Sequence, residues 1–448
     1  MGEGPGRTVK ITPEWRVYGL GAALCAALSI CSRNFGDRGG PHFMAALAVA
    51  GAVYLLAVRE FFARPRFPMR VAILGLALAA VWHVEFLRLA PGPDDDIHRY
   101  VWDGRLEKLG YNPYVVVPGD PAVRGLHTPE TRTLNNPDLP SPYPAAAELF
   151  FRAITAIQES TFALKLAFVV CDFAIVLLLL DLLRSNRRGA HLALVYAWNP
   201  LLAIEVAGSG HIDIFGALLL VISVVALTRN WRALAATAFG LAVAVKFLPI
   251  VLLPFYWKRV RNRDAALALA AVGLLYAPFL NRFRIPVGSL ATYMRSFRFN
   301  GPIFEALDRV APPGLLAGLA VALGLATAIS LRSPAPERSP EALAWPMAVS
   351  LLCAPVVFPW YLVWLLPFLT SRSTLLILIW TVSIIPTYVQ WHLRTLGRPW
   401  GALPGWVMLV EYGCLLIAAA VLVVRRITRR RAMLHRETPA TFTPAGTN

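Results

Sequence analysis

Long apolar runs alternate with short polar or basic segments along almost the whole chain. A run of roughly 17–25 apolar residues can cross the hydrocarbon core of a bilayer as an α-helix. We expect membrane segments near Trp15–Cys31, Phe43–Val58, Val71–Ala90, Thr161–Leu183, His191–Val206, Ile212–Leu227, Leu234–Tyr256, Ala265–Leu280, Leu315–Leu331, Ala342–Val357, Tyr361–Leu369, Leu375–Gln390 and Gly405–Val424. The pattern predicts an all-α fold, a polytopic membrane bundle of about 11–14 membrane helices.

Several of these apolar segments are short or contain proline. The prolines are Pro200, Pro249, Pro254, Pro367 and Pro386. Proline breaks the helical hydrogen-bond ladder, and a bilayer interior tolerates this only where protein or a water-filled cavity satisfies the freed groups. The sequence therefore predicts broken or re-entrant helices around a cavity.

Composition agrees with a membrane protein and argues against a soluble one. The chain is 57% hydrophobic and 15% charged, whereas soluble domains contain roughly a quarter charged residues. The net charge of +17 could indicate nucleic-acid binding, but most basic residues lie in short segments beside apolar runs, as in cytoplasmic loops of membrane proteins. We expect the lipid bilayer as a partner and no nucleic acid. The five cysteines show no metal-ligand spacing, and we expect neither a metal nor a cofactor.

The basic segments also predict which side of the membrane each loop occupies. Residues 64–70, 184–188, 229–232 and 425–436 fall on one side, which we assign as cytoplasmic. Only the basic segment 258–263 breaks the alternation. It fits if Leu234–Tyr256 is a re-entrant pair of half-helices with Lys246 near the turn.

This topology divides the chain into four parts and places the unusual polar segments on the external face. The parts are N-terminal membrane helices (residues 1–90), an external loop with an acidic motif after the third helix (91–160), a membrane bundle (161–424) with a second external loop (281–313), and a basic cytoplasmic tail (425–448).

The acidic motif Asp94–Asp96 directly follows an apolar run. Crowded carboxylates raise the pKa of one another and can supply a general base near the working pH. Metal binding and capping of a following helix are the alternatives. Asp103 lies about two helical turns further on and would share the same face. Arg99 and Arg105 could pair with these acids.

Aromatic residues follow the acids, at Tyr100, Trp102, Tyr111 and Tyr114. Such rings suit either the membrane interface or the C–H face of a sugar. Between them, Asn112 precedes Pro113 in a predicted turn.

Ionisable residues also occur at the ends of apolar spans. Such residues are rare inside membranes and usually belong to functional sites. Glu205, His211, Asp213 and Lys246 are of this kind. Lys246 could hold a phosphate group, or it could reach an interface or pair with Glu205 or Asp213. The second external loop carries Arg282, Arg284, Arg295 and Arg298, which suit an anionic headgroup or phosphate or a solvated basic loop.

Several motifs in one order resemble a known family. They are Asp95-Asp96-Ile-His98-Arg-Tyr-Val-Trp-Asp103-Gly, Gly110-Tyr-Asn-Pro-Tyr114, Ser141-Pro-Tyr143-Pro144, Tyr196-Ala-Trp198-Asn-Pro200, Gly208-Ser-Gly-His211-Ile-Asp213, Val245-Lys246-Phe-Leu-Pro249, Phe299-Asn-Gly301 and Pro359-Trp360-Tyr361. Over roughly residues 90–369 the chain resembles membrane glycosyltransferases of the GT-C fold. It is most similar to bacterial polyprenyl-phosphate-mannose-dependent mannosyltransferases, with a fainter likeness to eukaryotic GPI mannosyltransferase I.

The resemblance implies that a sugar is transferred, with inversion at its anomeric centre, from a polyprenyl-phosphate donor to a glycan or glycolipid acceptor. Among sugars it favours mannose. It places the site on the external side of a bacterial cytoplasmic membrane. Asp95 would be the base, with Asp96 as its orienting partner or substitute. His98 stands where many relatives have a tyrosine. Arginine and lysine could stabilise the leaving phosphate without a metal.

The remaining site residues follow from the same resemblance and the polar patterns above. We expect substrate binding by Asp103, Arg99, Tyr100, Trp102, Asn112, Tyr114, Tyr143, His211, Asp213, Trp360 and Tyr361, and phosphate binding by Lys246, Arg295 and Arg298. A carrier or flippase for lipid-linked sugars is the alternative function, because it would use the same cavity, broken helices and intramembrane charges.

Overall fold

The computed structural model describes residues 13–92, 95–280, 286–335, 338–401 and 403–437. The α-helices are α1 (Pro13–Arg33), α2 (Pro41–Ala63), α3 (Met69–Leu87), α4 (Asp96–Lys108), α5 (Ala145–Ile157), α6 (Thr161–Ser185), α7 (Ala193–Ala197), α8 (Asp213–Thr228), α9 (Arg232–Val245), α10 (Leu253–Tyr256), α11 (Asn262–Tyr276), α12 (Leu290–Ser296), α13 (Pro302–Leu307), α14 (Pro313–Leu331), α15 (Ala344–Leu352), α16 (Leu375–Ser383), α17 (Val389–Thr395) and α18 (Gly405–Glu437).

Shorter helical turns fill many of the connections between these helices. A π-helix spans Leu202–Gly208, and 3₁₀-helices span Phe35–Asp37, Pro121–Leu126, Ala190–Leu192, Leu248–Leu252, Ala277–Phe279, Pro340–Leu343, Pro359–Trp364, Leu366–Phe368, Arg372–Thr374 and Ile385–Tyr388. In the described ranges the β-structure is limited to one isolated bridge between Phe299 and Val356. The predicted all-α class is confirmed.

Seven helical segments among the described residues are long and apolar enough to cross a bilayer. They are Glu14–Arg33, Pro41–Ala63, Met69–Leu87, Thr161–Ser185, Pro313–Leu331, Arg372–Thr395 and Gly405–Thr428. Ala190–Ala197 and Leu202–Gly208 would form one more span, bent by 67° with Pro200 at the bend. The apolar helices α8 and α9 are shorter. The predicted multi-pass membrane protein with broken helices is confirmed.

The chain reverses direction at Lys246, as the basic segments predicted. Ser223, on α8, donates a hydrogen bond to the carbonyl of Ala235 (2.6 Å) and also lies 2.7 Å from the hydroxyl of Tyr256. Lys246 lies between these two positions in sequence, yet it bonds Asp213 at the other end of α8. The chain therefore runs along α8 from Ala235 to Lys246 and returns to the same level by Tyr256. That both ends of this segment face the cytoplasm stays a prediction.

Helices α4 and α5 pack closely against each other within the long connection after α3. A Cβ atom at Gly104 would lie 2.6 Å from the carbonyl oxygen of Phe151, so only glycine allows this approach. Three buried carboxylates, Asp103, Glu107 and Glu148, lie within this pair of helices. Burial and the neighbouring acids raise the pKa of Glu107 to about 8 and raise that of Glu148. Glu107 therefore keeps its proton at neutral pH in the folded protein.

This protonation predicts how stability depends on pH. Between its ordinary pKa of 4.5 and about 8, Glu107 binds a proton in the folded state but not in the unfolded state. The stability linked to this proton is full below the ordinary pKa and is lost as pH rises through the folded value. We expect Glu107→Gln to raise the melting temperature above about pH 8 and to change it little near pH 4.5, measured by thermal unfolding in detergent.

Glu159 provides a control of opposite sign. It lies at the surface of the same region, pairs with Arg105 and Lys108, and has a lowered pKa because of these hydrogen bonds. We expect Glu159→Gln to lower the melting temperature at neutral pH and to have no effect at low pH, where the carboxyl is protonated in both states. Parallel pH profiles for the two variants would contradict the assignment of Glu107 as protonated.

Candidate functional site

A cavity of about 740 Å³ lies where several of the broken elements end. The N-termini of α4 and α8, the C-terminus of α9, helix α12 and the 3₁₀-helix Pro359–Trp364 all contribute to its wall. Its charged lining residues are Asp95, Asp96, Asp213, Lys246 and Arg394. Most of the remaining wall is apolar or aromatic. The cavity thus combines a few charges with a large apolar surface, as binding sites for small organic ligands commonly do.

Asp95 is held by a buried ion pair. Its two carboxylate oxygens lie 2.7 and 2.8 Å from Nη2 of Arg38, and the amide of Gly92 donates to Oδ2 at 2.7 Å. Both side chains are about 95% buried, and Arg38 also donates to the hydroxyl of Ser209. A carboxylate with both oxygens occupied in this way is held in place, because moving it would leave the Arg38 charge buried and unpaired.

Asp96 is the less restrained acid of the motif. It is the first residue of α4 and lies half-buried in the cavity wall, where Asn135 donates a hydrogen bond to Oδ1. Burial raises the pKa of this carboxyl, while His211, Asn135 and Lys246 act in the opposite direction without cancelling the effect. Asp96 therefore has the exposure and the raised pKa that a general base needs. Asp94 lies outside the described residues.

Lys246 lies in the cavity wall and is positioned by two neighbours. Its ammonium group bonds Oδ1 of Asp213 at 2.7 Å and lies 3.8 Å from the ring centroid of Tyr361. The indole of Trp364 donates to the same oxygen of Asp213 at 2.7 Å. Because Lys246 carries three N–H donors, the pair with Asp213 leaves donor capacity for an anionic ligand.

His211 lies in the turn between the π-helix and α8. Its ring stacks on Trp360 with centroids 4.0 Å apart and planes 10° apart, and its Nδ1 atom lies 3.0 Å from the carboxylate of Glu205. These contacts fix both the plane and the rotation of the imidazole ring at the cavity wall.

Aromatic rings form one side of the cavity, which we call the aromatic wall. It comprises Phe358, Trp360, Tyr361, Trp391 and Trp400. Phe358 and Trp360 stack at 4.3 Å, and Trp391 meets Trp400 edge to face at 5.2 Å. Such ring surfaces suit the C–H face of a sugar.

The structure thus brings eight of the predicted site residues to one cavity. They are Asp95, Asp96, Tyr143, His211, Asp213, Lys246, Trp360 and Tyr361. The other predicted residues do not line it.

The predicted residues of α4 beyond Asp96 are buried away from the cavity. Arg99 pairs with Asp103 at 2.9 Å and donates to the carbonyl of Leu139, so these two residues compensate each other. Tyr100 stacks on Phe151, and Trp102 stacks on His127. These contacts connect α4 to its neighbours and are structural. We therefore do not place Arg99, Asp103, Tyr100 or Trp102 in the substrate site.

The turn after α4 and the second external loop also differ from expectation. Asn112 donates to the carbonyl of Phe279, and Tyr114 donates to that of Tyr143, so both residues hold the turn in place. Arg298 pairs with Asp308 at 2.8 Å, and neither Arg298 nor Arg295 lines the cavity. Arg282 and Arg284 lie outside the described residues.

Sequence reasoning missed several residues of the site. Arg38 neutralises Asp95, Asn135 bonds Asp96, and Tyr293 and Arg394 line the cavity. Arg38 lies between the first two spans, on the predicted external side, where basic residues are less frequent than in cytoplasmic loops. Its position could therefore have indicated a functional residue. Arg394 belongs to a polar segment after an apolar run, and its position could have indicated a functional residue in the same way. Asn135 and Tyr293 lie in the long connections between predicted spans, and no sequence pattern distinguishes them.

The family model described as alpha-(1->6)-mannopyranosyltransferase, N-terminal domain, matches residues 24–260, a segment that includes Arg38, Asp96, His211 and Lys246. A crystal structure of ArnT from Cupriavidus metallidurans bound to undecaprenyl phosphate is similar, with a TM-score of 0.46 and 15% sequence identity. The similarity covers 80% of this chain and only 64% of that one. No curated protein matches the chain.

The family match agrees with the resemblance found in the sequence motifs. It covers more than half of the 448 residues and includes Asp95, Asp96, Asp213 and Lys246, four of the five charged residues that line the cavity. The chain therefore belongs to the alpha-(1->6)-mannopyranosyltransferase family.

Proposed function

We propose that the protein transfers mannose from a polyprenyl-phosphate donor to a hydroxyl group of a glycan or glycolipid acceptor, with inversion at the anomeric carbon. One observation carries the proposal: a half-buried carboxylate, Asp96, and an ammonium group, Lys246, line the same cavity. Such a transfer removes a proton from the acceptor hydroxyl and releases a phosphate. The Asp96 carboxylate suits the first step, and the Lys246 ammonium suits the second.

Asp96 is the general base in this proposal, in place of Asp95. The Arg38 ion pair occupies both oxygens of Asp95, whereas Asp96 retains Oδ2 for the acceptor hydroxyl. The raised pKa of Asp96 brings its proton affinity closer to the working pH, which makes proton transfer more efficient. Asp95 has a positioning role, because it fixes the start of α4.

The reaction then proceeds in one displacement. Asp96 takes the proton of the acceptor hydroxyl as the acceptor oxygen attacks the anomeric carbon. The bond between this carbon and the phosphate oxygen breaks, and polyprenyl phosphate leaves with the electron pair. Attack from the face opposite the phosphate inverts the anomeric configuration.

Lys246 stabilises the departing phosphate in this proposal, with Arg394 as a second cation on the cavity wall. The Lys246 ammonium retains donor capacity beside Asp213, and a positioned cation is most effective where negative charge develops in a site shielded from water. Arg298 is assigned no phosphate role because it pairs with Asp308 and does not line the cavity. Arg295 is assigned none because it lies off the cavity.

The carbohydrate lies against the aromatic wall and the polar groups of Tyr143, His211 and Asp213 in this proposal. The cavity volume of about 740 Å³ is within the usual range for small-molecule sites, roughly 300–1,000 Å³. The site faces the external side of the bacterial cytoplasmic membrane, in keeping with the basic loops predicted on the other side.

Substitution distinguishes the two acids of the motif. We expect Asp96→Asn to reduce turnover by more than about 10²-fold, since general base catalysis contributes roughly 10²–10⁴-fold, with an unchanged melting temperature. We expect Asp95→Asn to lower the melting temperature, because it leaves Arg38 buried without a counterion. Transfer assays on the purified protein and thermal unfolding measure both effects. A stable, inactive Asp95→Asn beside an active Asp96→Asn would reverse the assignment.

The pH dependence of transfer tests the base more specifically. Asn135 donates to Asp96 and lowers its pKa, because this hydrogen bond stabilises the charged carboxylate. We expect Asn135→Ala to raise that pKa, so the acid limb of kcat/KM against pH moves to higher pH. The reason is that a smaller fraction of Asp96 is ionised at each pH.

Asn136 is the matched control for this experiment. It also lines the cavity, but it donates to the hydroxyl of Tyr293 and not to Asp96. Asn136→Gly tolerates the positive φ of 47° at this position, and we expect it to leave the acid limb in place. An acid limb that stays fixed in Asn135→Ala, or moves equally in both variants, would argue against Asp96 as the titrating base.

A further inference from the structure

Glu205 is a buried carboxylate beside the cavity to which the reaction above assigns no role. It is 99% buried, lies in the π-helix Leu202–Gly208 and does not line the cavity. A carboxylate in such surroundings is costly unless hydrogen bonds compensate it. Its two partners are the hydroxyl of Tyr388, which donates to Oε1, and the ring of His211.

The contacts of His211 define which ring nitrogen carries a hydrogen. Nδ1 lies 3.0 Å from Oε2 of Glu205 and 3.1 Å from the backbone carbonyl oxygen of the same residue. Both oxygens are acceptors, so Nδ1 must be the donor. Nε2 lies at the far edge of the ring from Glu205.

The backbone around Glu205 is shaped to make this contact. The wide π-turn lets the Glu205 carbonyl accept hydrogen bonds from the amides of Gly210 (3.1 Å) and His211 (2.9 Å). Gly210 has a φ of +77°, which glycine adopts without strain. Main chain and side chain of Glu205 therefore converge on one residue, and π-turns of this kind frequently occur at functional sites.

The stacking on Trp360 removes the remaining rotational freedom of the ring. With centroids 4.0 Å apart and planes 10° apart, the imidazole is fixed in its plane, while Glu205 fixes its rotation within that plane. Because His211 lines the cavity, Nε2 is the ring nitrogen left for a ligand.

We propose that Glu205 is a positioning residue that acts through His211, turning Nε2 toward the cavity to bind a hydroxyl group of the reacting carbohydrate. This proposal rests on the proposed function. A hydroxyl both donates and accepts, so Nε2 can pair with it in either protonation state of the ring. The hydroxyl belongs either to the donor sugar or to the acceptor. In the first case loss of the His211 contact raises KM for the donor, and in the second it raises KM for the acceptor.

The test compares two substitutions of similar size at Glu205. The amide oxygen of Glu205→Gln still accepts from Nδ1, whereas Glu205→Met offers no acceptor of comparable strength. We expect Glu205→Met to raise KM for one substrate about tenfold, the effect of losing one well-placed hydrogen bond, with KM for the other substrate unchanged. Glu205→Gln should stay within about threefold of the unmodified protein, because it keeps the hydrogen bond.

A double variant shows whether Glu205 acts through His211. We expect His211→Ala to raise the same KM as Glu205→Met, and His211→Ala/Glu205→Met to be no worse than His211→Ala alone, since residues that act in series are not additive. Equal losses for both substrates, or additive losses in the double variant, would overturn the proposal in favour of a purely structural Glu205. Unchanged KM values in Glu205→Met would overturn it as well.

Asp172 provides a matched control. It also pairs with a buried histidine, His83, at 2.8 Å, and both residues are about 99% buried, but neither lines the cavity. We expect Asp172→Leu to lower the melting temperature without a selective effect on either KM.

Tyr388→Phe is a conservative second variant that tests the proposal if Glu205→Met does not fold. It removes the hydroxyl that holds the other oxygen of Glu205 and should raise the same KM by a smaller factor. No change in either KM would count against the proposal. Absence of any transfer by the unmodified protein would instead reject the proposed function itself, so the two failures are distinguishable.

Discussion

A buried charge needs a partner, and this requirement separates Asp95 from Asp96 in the acidic motif. Arg38 neutralises Asp95, and Arg99 neutralises Asp103. Moving either carboxylate away would leave a buried guanidinium group without a counterion. Asp96 is different because its described partner is the neutral amide of Asn135. In the proposed reaction this difference favours Asp96 over Asp95 as the base.

The second feature that creates the site is the interruption of helices. Lys246 reaches Asp213 because α9 ends at Val245 and the chain turns back. His211 reaches the cavity because the π-helix Leu202–Gly208 ends just before it. In a continuous helix the backbone groups would be hydrogen-bonded within the helix. The side chains that face a cavity would then lie along one stripe of the helix surface. Breaking the helices inside the bundle instead gathers polar groups from distant parts of the chain, where surrounding protein can satisfy the freed backbone.

Much of this arrangement could be predicted from the sequence, for identifiable reasons. The membrane bundle follows from apolar run lengths, and the turn at Lys246 follows from one break in the alternation of basic loops. His211, Asp213 and Lys246 could be selected because ionisable groups at the ends of apolar spans are rare.

The choice between Asp95 and Asp96 could not be made from the sequence, because it depends on Arg38, far away in the chain. The rotation of α4 about its axis, which turns Arg99, Tyr100 and Trp102 into the protein interior, could not be predicted from the sequence either. Spacing places residues on a helix face but does not say which face meets the cavity.

In the proposed function, Asp96 acts on the acceptor hydroxyl and Lys246 on the donor phosphate within one cavity. The most direct test is an experimentally determined structure of the protein in lipid nanodiscs with polyprenyl phosphate. We expect phosphate density within hydrogen-bonding distance of the Lys246 ammonium, with the Asp96 carboxylate facing the same cavity. Phosphate bound outside this cavity, with the Lys246–Asp213 pair undisturbed and Asp96 turned away from the ligand, would contradict it.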